Sequence, residues 1–323
     1  STENMLQDYQ GIVKAKSVPE DVNVVSFSCG DVLISNIRPY LKKVWKATFN
    51  GGCSSDVFVL KANDNIESDY LHYVIANDKF INFVMSGTKG VKMPRGDKKQ
   101  METYSLSLPQ IQEQHKIARL LSLLDERIAT QNKIIDKLQS LIKGIAQHCI
   151  RELINGWEYV RLSDICKITT GKLDANAQVE NGQYPFFTCA ERPFNIDSYA
   201  FDTEALLISG NGANLGYINY YKGKFNAYQR TYVLDHFSVN IQYVKWALKV
   251  LLPKRIAIEK SSSNTPYIVL STLADLKIPI PNNSKQNHIA NLMQSFERKL
   301  STQLALNDLY NKQKQYLLRQ MFI

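Results

Sequence analysis

The chain has 323 residues and a mass of 36.8 kDa, enough for two ordinary domains that each bury a core of their own. Lys and Arg outnumber Asp and Glu by 39 to 30, which gives a net charge of +9 and an isoelectric point near 9.1. This balance favours a polyanionic partner such as nucleic acid over an acidic small molecule.

Cysteine usage and hydropathy indicate the compartment. The five cysteines are widely spaced and never form a C-x-x-C pair, so we predict neither a disulfide framework nor a zinc site. The sequence has no secretory signal pattern and no apolar run of about 18 residues. We therefore expect a chain of the reducing cytoplasm with no membrane partner.

A long repeat organises the chain. The segment LPQIQEQHKIARLLSLLDERI begins at Leu108, and IPNNSKQNHIANLMQSFERKL begins at Ile280, 172 positions later. Gln114 corresponds to Gln286 in this alignment, which continues without a gap for more than 40 residues. Each copy opens with an apolar residue and a proline, which is typical of the start of a helix.

Both copies predict a long amphipathic helix, because apolar residues recur at alternating steps of four and three, the spacing of a heptad seam. Helices of roughly 40 residues would be about 60 Å long, and the simplest partner for each apolar stripe is the other helix. Gln131, Gln303 and Asn307 interrupt the stripes. They are either polar contacts that set the register or solvent-exposed residues.

The duplication extends upstream of each helix. The segment GDVLISNIRPYLKKVW from Gly30 matches EALLISGNGANLGYINYY from Glu204, and SDVFVL from Ser55 matches RTYVL from Arg230. Each half is therefore predicted to be a globular α/β domain that ends in an apolar strand and is followed by a long helix. The expected limits are 1–108 and 156–279 for the domains and 109–150 and 281–323 for the helices. The counterpart of residues 156–172 would lie before residue 1, so we expect the first domain to be incomplete at its N terminus.

These features together resemble the specificity subunit of Type I restriction-modification systems. The family motif L-P-x-x-x-E-Q-x-x-I is present as LPQIQEQHKI from Leu108. The second copy, IPNNSKQNHI from Ile280, matches the motif only in part, because Lys285 replaces the glutamate. The opening W-x-x-V-R-L-x-D-I at Trp157 and the paired I-S strands also match, so the resemblance covers essentially the whole chain.

The resemblance implies an α/β protein with two target-recognition domains, each followed by a long helix, and the two helices packed as an antiparallel coiled coil. Each domain would read one half of a split, asymmetric target in double-stranded DNA. The helices would set the length of the spacer between the half-sites and would dock two methyltransferase subunits. Restriction subunits would join this complex. The chain itself would be non-catalytic and bind no cofactor, since S-adenosylmethionine, ATP and Mg would belong to the partner subunits.

Candidate DNA-contacting residues lie in loops where amide, hydroxyl, aromatic and basic side chains are mixed. They are Ser35, Asn36, Arg38, Tyr40, Lys42, Lys43, Lys89, Lys92 and Arg95 in the first domain, and Ser209, Asn211, Asn214, Tyr217, Gln229, Arg230, Thr231, Asn264, Thr265 and Tyr267 in the second. The lysines would contact phosphates and set the salt dependence of binding. The alternative is that these segments are ordinary surface loops rich in turn-forming residues.

Other site patterns are weaker. Gly210, Gly212 and Gly216 follow an apolar strand, but their spacing misses the dinucleotide-binding fingerprint by one residue, so a turn is predicted. Asp97 and Lys99 match the tail of a metal-dependent nuclease motif without its upstream partner, so we assign neither a catalytic residue nor a metal ligand. A protein–protein scaffold built on a coiled coil is the alternative function, and an enzyme is the third.

Overall fold

The structure is a computed structural model, and it describes residues 1–15, 17, 23–88, 90, 92–152, 157–260 and 267–322. By proximity the chain divides into two compact units, of which unit 1 comprises residues 1–133 and 304–323 and unit 2 comprises residues 134–303. Each long helix therefore contributes one part to each unit. The expected domain limits stay a prediction, because proximity does not measure which segments fold independently.

Unit 1 contains two small antiparallel sheets and a group of helices. Its elements are β1 (Val25–Phe27), β2 (Val32–Ser35), a 3-10 helix (Pro39–Leu41), β3 (Val44–Lys46), β4 (Gly51–Cys53), β5 (Val57–Leu60), α1 (Ser68–Ile75), α2 (Asp78–Ser86), α3 (Lys98–Met101) and the first part of α4 (Ile111–Glu152). The buried strand β2 lies between β3 and β5, and β1 pairs with β4. Helices α1 and α2 cover β2, and together they form the main core of the unit.

Unit 2 contains a larger sheet. Its elements are β6 (Glu158–Arg161), α5 (Leu162–Ile165), β7 (Lys167–Thr170), a 3-10 helix (Ala175–Ala177), β8 (Tyr184–Phe187), β9 (Phe194–Ile196), β10 (Phe201–Ser209), β11 (Ile218–Ala227), β12 (Thr231–Asp235), α6 (Ile241–Lys260), α7 (Leu270–Ala274), β13 (Lys277–Ile280) and the first part of α8 (Asn283–Met321). The strand order is β7-β12-β10-β11-β8-β9, and β8 pairs with β11 in parallel. Strands β13 and β6 form a separate antiparallel pair.

The duplication predicted from the sequence is confirmed at the level of strands. Strand β2 pairs with β3 and β5, and its counterpart β10 pairs with β11 and β12. The registers agree as well, because Ser35 lies opposite Val57 and Ser209 lies opposite Thr231. The two units are therefore variants of one α/β design.

The long helices run antiparallel in unit 1. The Lys314 ammonium lies 2.5 Å from the Asp125 carboxylate, and the Asn307 amide donates to the Asn132 side-chain oxygen at 3.0 Å. Residue numbers fall along one helix as they rise along the other, which defines the direction. In unit 2 the core contains apolar seam residues of both helices, among them Ile142 and Ile289. The predicted antiparallel coiled coil is confirmed.

The polar residues that interrupt the heptad seam are buried or half-buried. Gln131 is only 5% exposed, so solvent exposure is the wrong interpretation for this residue. Asn307 contacts Asn132 across the helix pair, as a register-setting amide would. Gln303 is half-buried.

A buried glutamine joins the globular part of unit 1 to its long helix. Gln114 is 1% exposed, and its Oε1 accepts a hydrogen bond from the backbone N–H of Glu67, the N-cap residue of α1, at 2.8 Å. Its Nε2 donates to the carbonyls of Asn65 at 3.0 Å and Pro109 at 2.9 Å. One side chain thus ties the start of α1 to the proline that precedes α4.

Gln286 makes the equivalent connection in unit 2. It is 2% exposed, and its Oε1 accepts from the backbone N–H of Asn240 at 3.0 Å. The Asn240 side chain in turn accepts from two backbone N–H groups in the first turn of α6. The Gln286 Nε2 donates to the Pro281 carbonyl at 2.8 Å. The recurring glutamine after each proline is therefore a structural clamp.

One expected strand is missing from unit 1. Residues 105–108 correspond to β13, yet their backbone groups make no hydrogen bond to any residue in the described ranges. Strand β13 is held by β6, and the described part of unit 1 has no strand in the position of β6. The prediction of a closing apolar strand is right for unit 2 and wrong for unit 1, because a strand requires a hydrogen-bonded neighbour.

We expect Gln114→Ala to lower the free energy of unfolding of unit 1 by roughly 2 kcal/mol, since it leaves the half-buried Glu67 N–H without its acceptor. Native-state hydrogen exchange of the α1 amides measures this unit specifically. Gln112→Ala, an exposed position two residues earlier on the same helix, is the matched control and should change the stability by no more than about 0.5 kcal/mol. Equal exchange rates in both variants would contradict the clamp.

Candidate nucleic-acid interface

The first predicted loop has the same frame in both units. In unit 1 it follows β2, and the Ser35 N–H donates to the Lys43 carbonyl at 3.0 Å. In unit 2 it follows β10, and the Ser209 N–H donates to the Tyr217 carbonyl at 3.0 Å. Seven residues lie between the bonded positions in each case. The two loops are therefore structurally equivalent, as the sequence alignment predicted.

Two positions in each loop have left-handed backbone conformations. In unit 1 these are Arg38 and Lys42, with φ of 50° and 51°. In unit 2 they are Gly212 and Gly216, with φ of 78° and 80°. Glycine adopts this region without steric cost, whereas a residue with a Cβ atom destabilises the folded state by about 1–2 kcal/mol when it adopts the region. The predicted turn at the glycines is confirmed, and unit 1 builds the same turn with two basic residues.

The second predicted loop lies beside the first in each unit. In unit 1 the Gly96 N–H donates to the Asn36 carbonyl at 3.0 Å. In unit 2 the Ile268 N–H donates to the Gly210 carbonyl at 2.8 Å. The loops before the helices, which are distant in the sequence from the first loops, thus form one surface with them.

A third segment also contacts the first loop. It lies directly before β5 in unit 1 and directly before β12 in unit 2. The N–H of Asn36 donates to the Asp56 carbonyl at 2.8 Å, and the N–H of Gly210 donates to the Arg230 carbonyl at 2.8 Å. Equivalent positions therefore carry an acid in unit 1 and a base in unit 2. The Asp56 carboxylate lies 3.2 Å from the Arg95 guanidinium. Asp56 was not among the candidate residues, although the alignment of SDVFVL from Ser55 with RTYVL from Arg230 placed it opposite a candidate.

The structure sorts the candidate residues by exposure. Ser35, Ser209 and Thr231 are buried, at 1%, 2% and 1% exposure, so their side chains serve the fold. The exposed candidates are Tyr40, Lys92, Arg95, Tyr217, Gln229, Arg230 and Tyr267. The half-buried candidates are Asn36, Arg38, Lys42, Lys43, Asn211 and Asn214. Lys89, Asn264 and Thr265 lie outside the described residues.

Several half-buried candidates are held by the fold. The Lys42 ammonium lies 2.6 Å from the Asp78 carboxylate, and the Lys43 ammonium donates to the Thr2 carbonyl at 2.7 Å. Arg38 differs, because its Nε is shielded from solvent and makes no hydrogen bond within the described residues. An external acceptor cannot reach the shielded Nε directly, so a contact from this half-buried arginine would use the terminal guanidinium nitrogens.

The D-x-K pattern noted in the sequence has a structural role. Asp97 accepts from the Lys99 N–H at 2.9 Å and caps α3, which accounts for the D-x-K pattern. Within the described ranges no three His, Cys, Asp or Glu residues come together as metal ligands. Among the described helices, none has the length and apolar character needed to cross a bilayer.

Comparison with known families agrees with the duplicated design. The family model of the Type I restriction modification DNA specificity domain matches residues 1–140 and, a second time, residues 154–307. The chain belongs to this family. The two matches include both loop surfaces, so the equivalence of the two units is a property of two specificity domains.

Curated relatives are specificity subunits. Over 134 residues the chain is 45% identical to the Type I restriction enzyme EcoDI specificity subunit of Escherichia coli, which covers 42% of this chain and 30% of that protein. It is 25% identical over 297 residues to the MjaVIII specificity subunit of Methanocaldococcus jannaschii, which covers 76% of this chain and 68% of that protein. The match thus spans less than a third of the E. coli relative.

Solved structures share the fold. The S subunit of a Type I restriction-modification system from M. genitalium has a TM-score of 0.69 at 17% identity, covering 100% of this chain and 91% of that one. A chain from a structural study of complex assembly and conformational transition of the type I R-M system has a TM-score of 0.59 at 20% identity, covering 94% and 83%. At this level of identity the likeness establishes the fold.

We expect Arg38→Gly in the first specificity domain to weaken binding to duplex DNA about fivefold or more at a fixed salt concentration, because it removes a half-buried basic side chain from the first loop. The free energy of unfolding should stay within about 1 kcal/mol of the parent, since glycine already occupies the equivalent position, Gly212. Fluorescence anisotropy and urea unfolding measure the two quantities. Arg119→Ala, an exposed arginine on α4, controls for loss of charge. Unchanged affinity in Arg38→Gly would contradict a contact.

Proposed function

We propose that this chain is the DNA sequence-recognition subunit of a Type I restriction-modification complex, in which each unit reads one half of a bipartite target. The observation that carries the proposal is the pair of equivalent loop surfaces, one in each specificity domain. Each surface joins three segments that mix aromatic, amide and basic side chains. Such mixtures provide phosphate contacts that position a protein and donors that read base edges.

The two surfaces carry different chemistry on one frame, which favours an asymmetric target. Unit 1 presents Arg38 and the Arg95–Asp56 pair, whereas unit 2 presents Gln229, Arg230 and exposed tyrosines. An acid at the position of Arg230 changes the local charge by two units, and base readout depends on individual donors and acceptors. Two different half-sites are therefore the expected target.

The long helices are proposed to set the spacing and to carry partner subunits. Helix α4 has 42 residues and is about 63 Å long at ~1.5 Å per residue, and α8 has 39 residues. Successive major-groove faces recur about every 34 Å along B-DNA, so a rod of this length is compatible with two separated half-sites. We propose that two methyltransferase subunits dock on the chain and that restriction subunits join through them. The partner subunits would then bind S-adenosylmethionine, ATP and Mg, and this chain would be non-catalytic.

The decisive experiment maps methylated adenines in DNA treated with the complex assembled with its methyltransferase subunits. Replacing residues 156–278 with the corresponding region of another specificity subunit is expected to change one half-site and leave the other unchanged. The spacer length should stay the same, because both helices are retained. A change in both half-sites would contradict independent reading by the two units.

A protein–protein scaffold is the alternative, and salt dependence separates the two functions. A DNA-binding chain should show a linear fall of log Kobs with log salt concentration, with a slope of about −0.9 for each phosphate contact. Lys92 and Arg95 are both exposed and belong to the second loop. Lys92→Ala and Arg95→Ala should each reduce the magnitude of the slope by about 0.9, the value of one phosphate contact. Lys116→Ala on α4 is the matched control, because this exposed lysine lies on the long helix and not in any of the loop segments. A scaffold would show no steep slope in any of these proteins.

A further inference from the structure

A β-turn precedes strand β12 in unit 2. The Thr231 N–H donates to the Tyr228 carbonyl at 2.8 Å, so Gln229 and Arg230 are the two central residues of the turn. Both side chains are exposed, and neither forms a hydrogen bond or an ion pair with the residues that the structure describes. The turn therefore presents a side-chain amide and a guanidinium whose donors are available to an external ligand.

The main chain of this turn is fixed from two sides. The Gln229 N–H donates to the carbonyl of Leu173, which follows β7, at 2.9 Å. The Arg230 carbonyl accepts from the N–H of Gly210, which follows β10, at 2.8 Å. Because the backbone is already ordered, a ligand that contacts the two side chains orders only the side chains themselves, which lowers the entropic cost of binding.

Two glycines allow the neighbouring segments to approach the turn this closely. A Cβ atom at Gly210 would lie 2.5 Å from the Arg230 carbonyl oxygen, and a Cβ atom at Gly171 would overlap the Ala227 carbonyl oxygen. A side chain at either position would therefore displace the turn or the strand end before it. The position of the two exposed side chains thus depends on glycine at both contacts.

The same turn occurs in unit 1 with different central residues. The Val57 N–H donates to the Ser54 carbonyl at 3.0 Å, so Ser55 and Asp56 are the central residues there. Val57 and Thr231 are equivalent, because each lies opposite the serine that ends β2 or β10. Unit 1 thus presents a hydroxyl and a carboxylate where unit 2 presents an amide and a guanidinium. A shared backbone frame with different central side chains is the arrangement that two readers of different sequences require.

We propose that the turn of residues 228–231 reads two adjacent base pairs of the unit 2 half-site in the major groove. Arg230 donates to N7 and O6 of a guanine, and Gln229 bonds to N7 and N6 of an adenine, because these purine edges match a guanidinium and an amide with two hydrogen bonds each. Consecutive Cα atoms are about 3.8 Å apart and stacked bases are about 3.4 Å apart, so neighbouring side chains reach neighbouring pairs. The inference rests on the proposed DNA recognition and assigns the bases that these two residues read.

The test uses the complex assembled with its methyltransferase subunits and the target mapped from its methylated adenines. The half-site that changes when residues 156–278 are exchanged belongs to unit 2, and it should contain a G·C pair next to an A·T pair. Competition binding with duplexes substituted at each pair measures the base discrimination. Arg230→Ala should reduce the discrimination at the G·C pair about tenfold or more, and Gln229→Ala should do so at the A·T pair. Discrimination in the other half-site should stay unchanged.

Arg230→Gln tests the base assignment directly. The new amide matches adenine, so the preferred pair at this position should change from G·C to A·T. A phosphate contact would instead be lost equally on every duplex, without a change in preference. Lys277→Ala is the matched control, because this exposed lysine lies on β13 and outside the three loop segments. It should leave the base discrimination unchanged at every position.

The outcomes separate this inference from the function on which it rests. A parent complex that binds all duplexes equally would overturn DNA sequence recognition, and the base assignment with it. A defined target without adjacent G·C and A·T pairs in the unit 2 half-site would overturn the base assignment alone. Arg230 variants that bind every duplex more weakly but keep the preference of the parent would also overturn it, since uniform weakening indicates a phosphate contact.

Discussion

The buried amides of Gln114 and Gln286 are the constraint on which each unit depends. An amide offers an acceptor and a donor at once, so a single side chain satisfies a backbone N–H at one helix start and a proline carbonyl at another. Burial makes this pairing costly to lose, because an unsatisfied polar group in the interior costs about 1–3 kcal/mol. The orientation of each globular part on its own stretch of long helix follows from these bonds. Neither an acid nor a lysine provides both functions.

A second constraint is the backbone frame of the loops. The same left-handed positions are occupied by glycines in unit 2 and by Arg38 and Lys42 in unit 1. Main-chain bonds such as that from the Lys42 N–H to the Pro39 carbonyl at 2.9 Å stabilise the turn, and the Ser35 hydroxyl adds a bond to the Ile37 carbonyl at 2.9 Å. Unit 1 therefore carries basic side chains in conformations that glycine adopts more readily. Residues in such conformations cluster at functional sites, which is consistent with a recognition role for this loop.

Much of the fold could be predicted because its signals are periodic. The heptad spacing identified both long helices, and the shared segment around VLIS and LLIS identified equivalent strands. The candidate residues were harder to assign, since exposure depends on neighbours that are distant in the sequence. Ser35 and Ser209 belong to the ends of strands that are covered on both faces, so their hydroxyl groups are buried. Alternation along a strand could not reveal this, because it assumes one solvated face.

Long-range pairing accounts for the other differences. The apolar pattern of residues 105–108 matches that of β13, but a strand forms only where a second strand lies beside it. The link between Asp56 and the loops is likewise a backbone contact between segments separated by 20 residues. Sequence patterns describe which residues prefer to be buried or extended. They do not identify the segment of the chain with which each strand or loop forms hydrogen bonds.

The bonds that close the two equivalent loops have a consequence for diversification. The Ser35–Lys43 and Ser209–Tyr217 bonds join main-chain atoms only, at a fixed interval along the chain. The seven residues enclosed by these bonds differ between the two units at every position except Leu41 and its counterpart Leu215, yet the flanking strands keep the same pairing. The same closing bonds therefore accommodate two loops with different side chains, so the frame of the loop is separate from its chemistry.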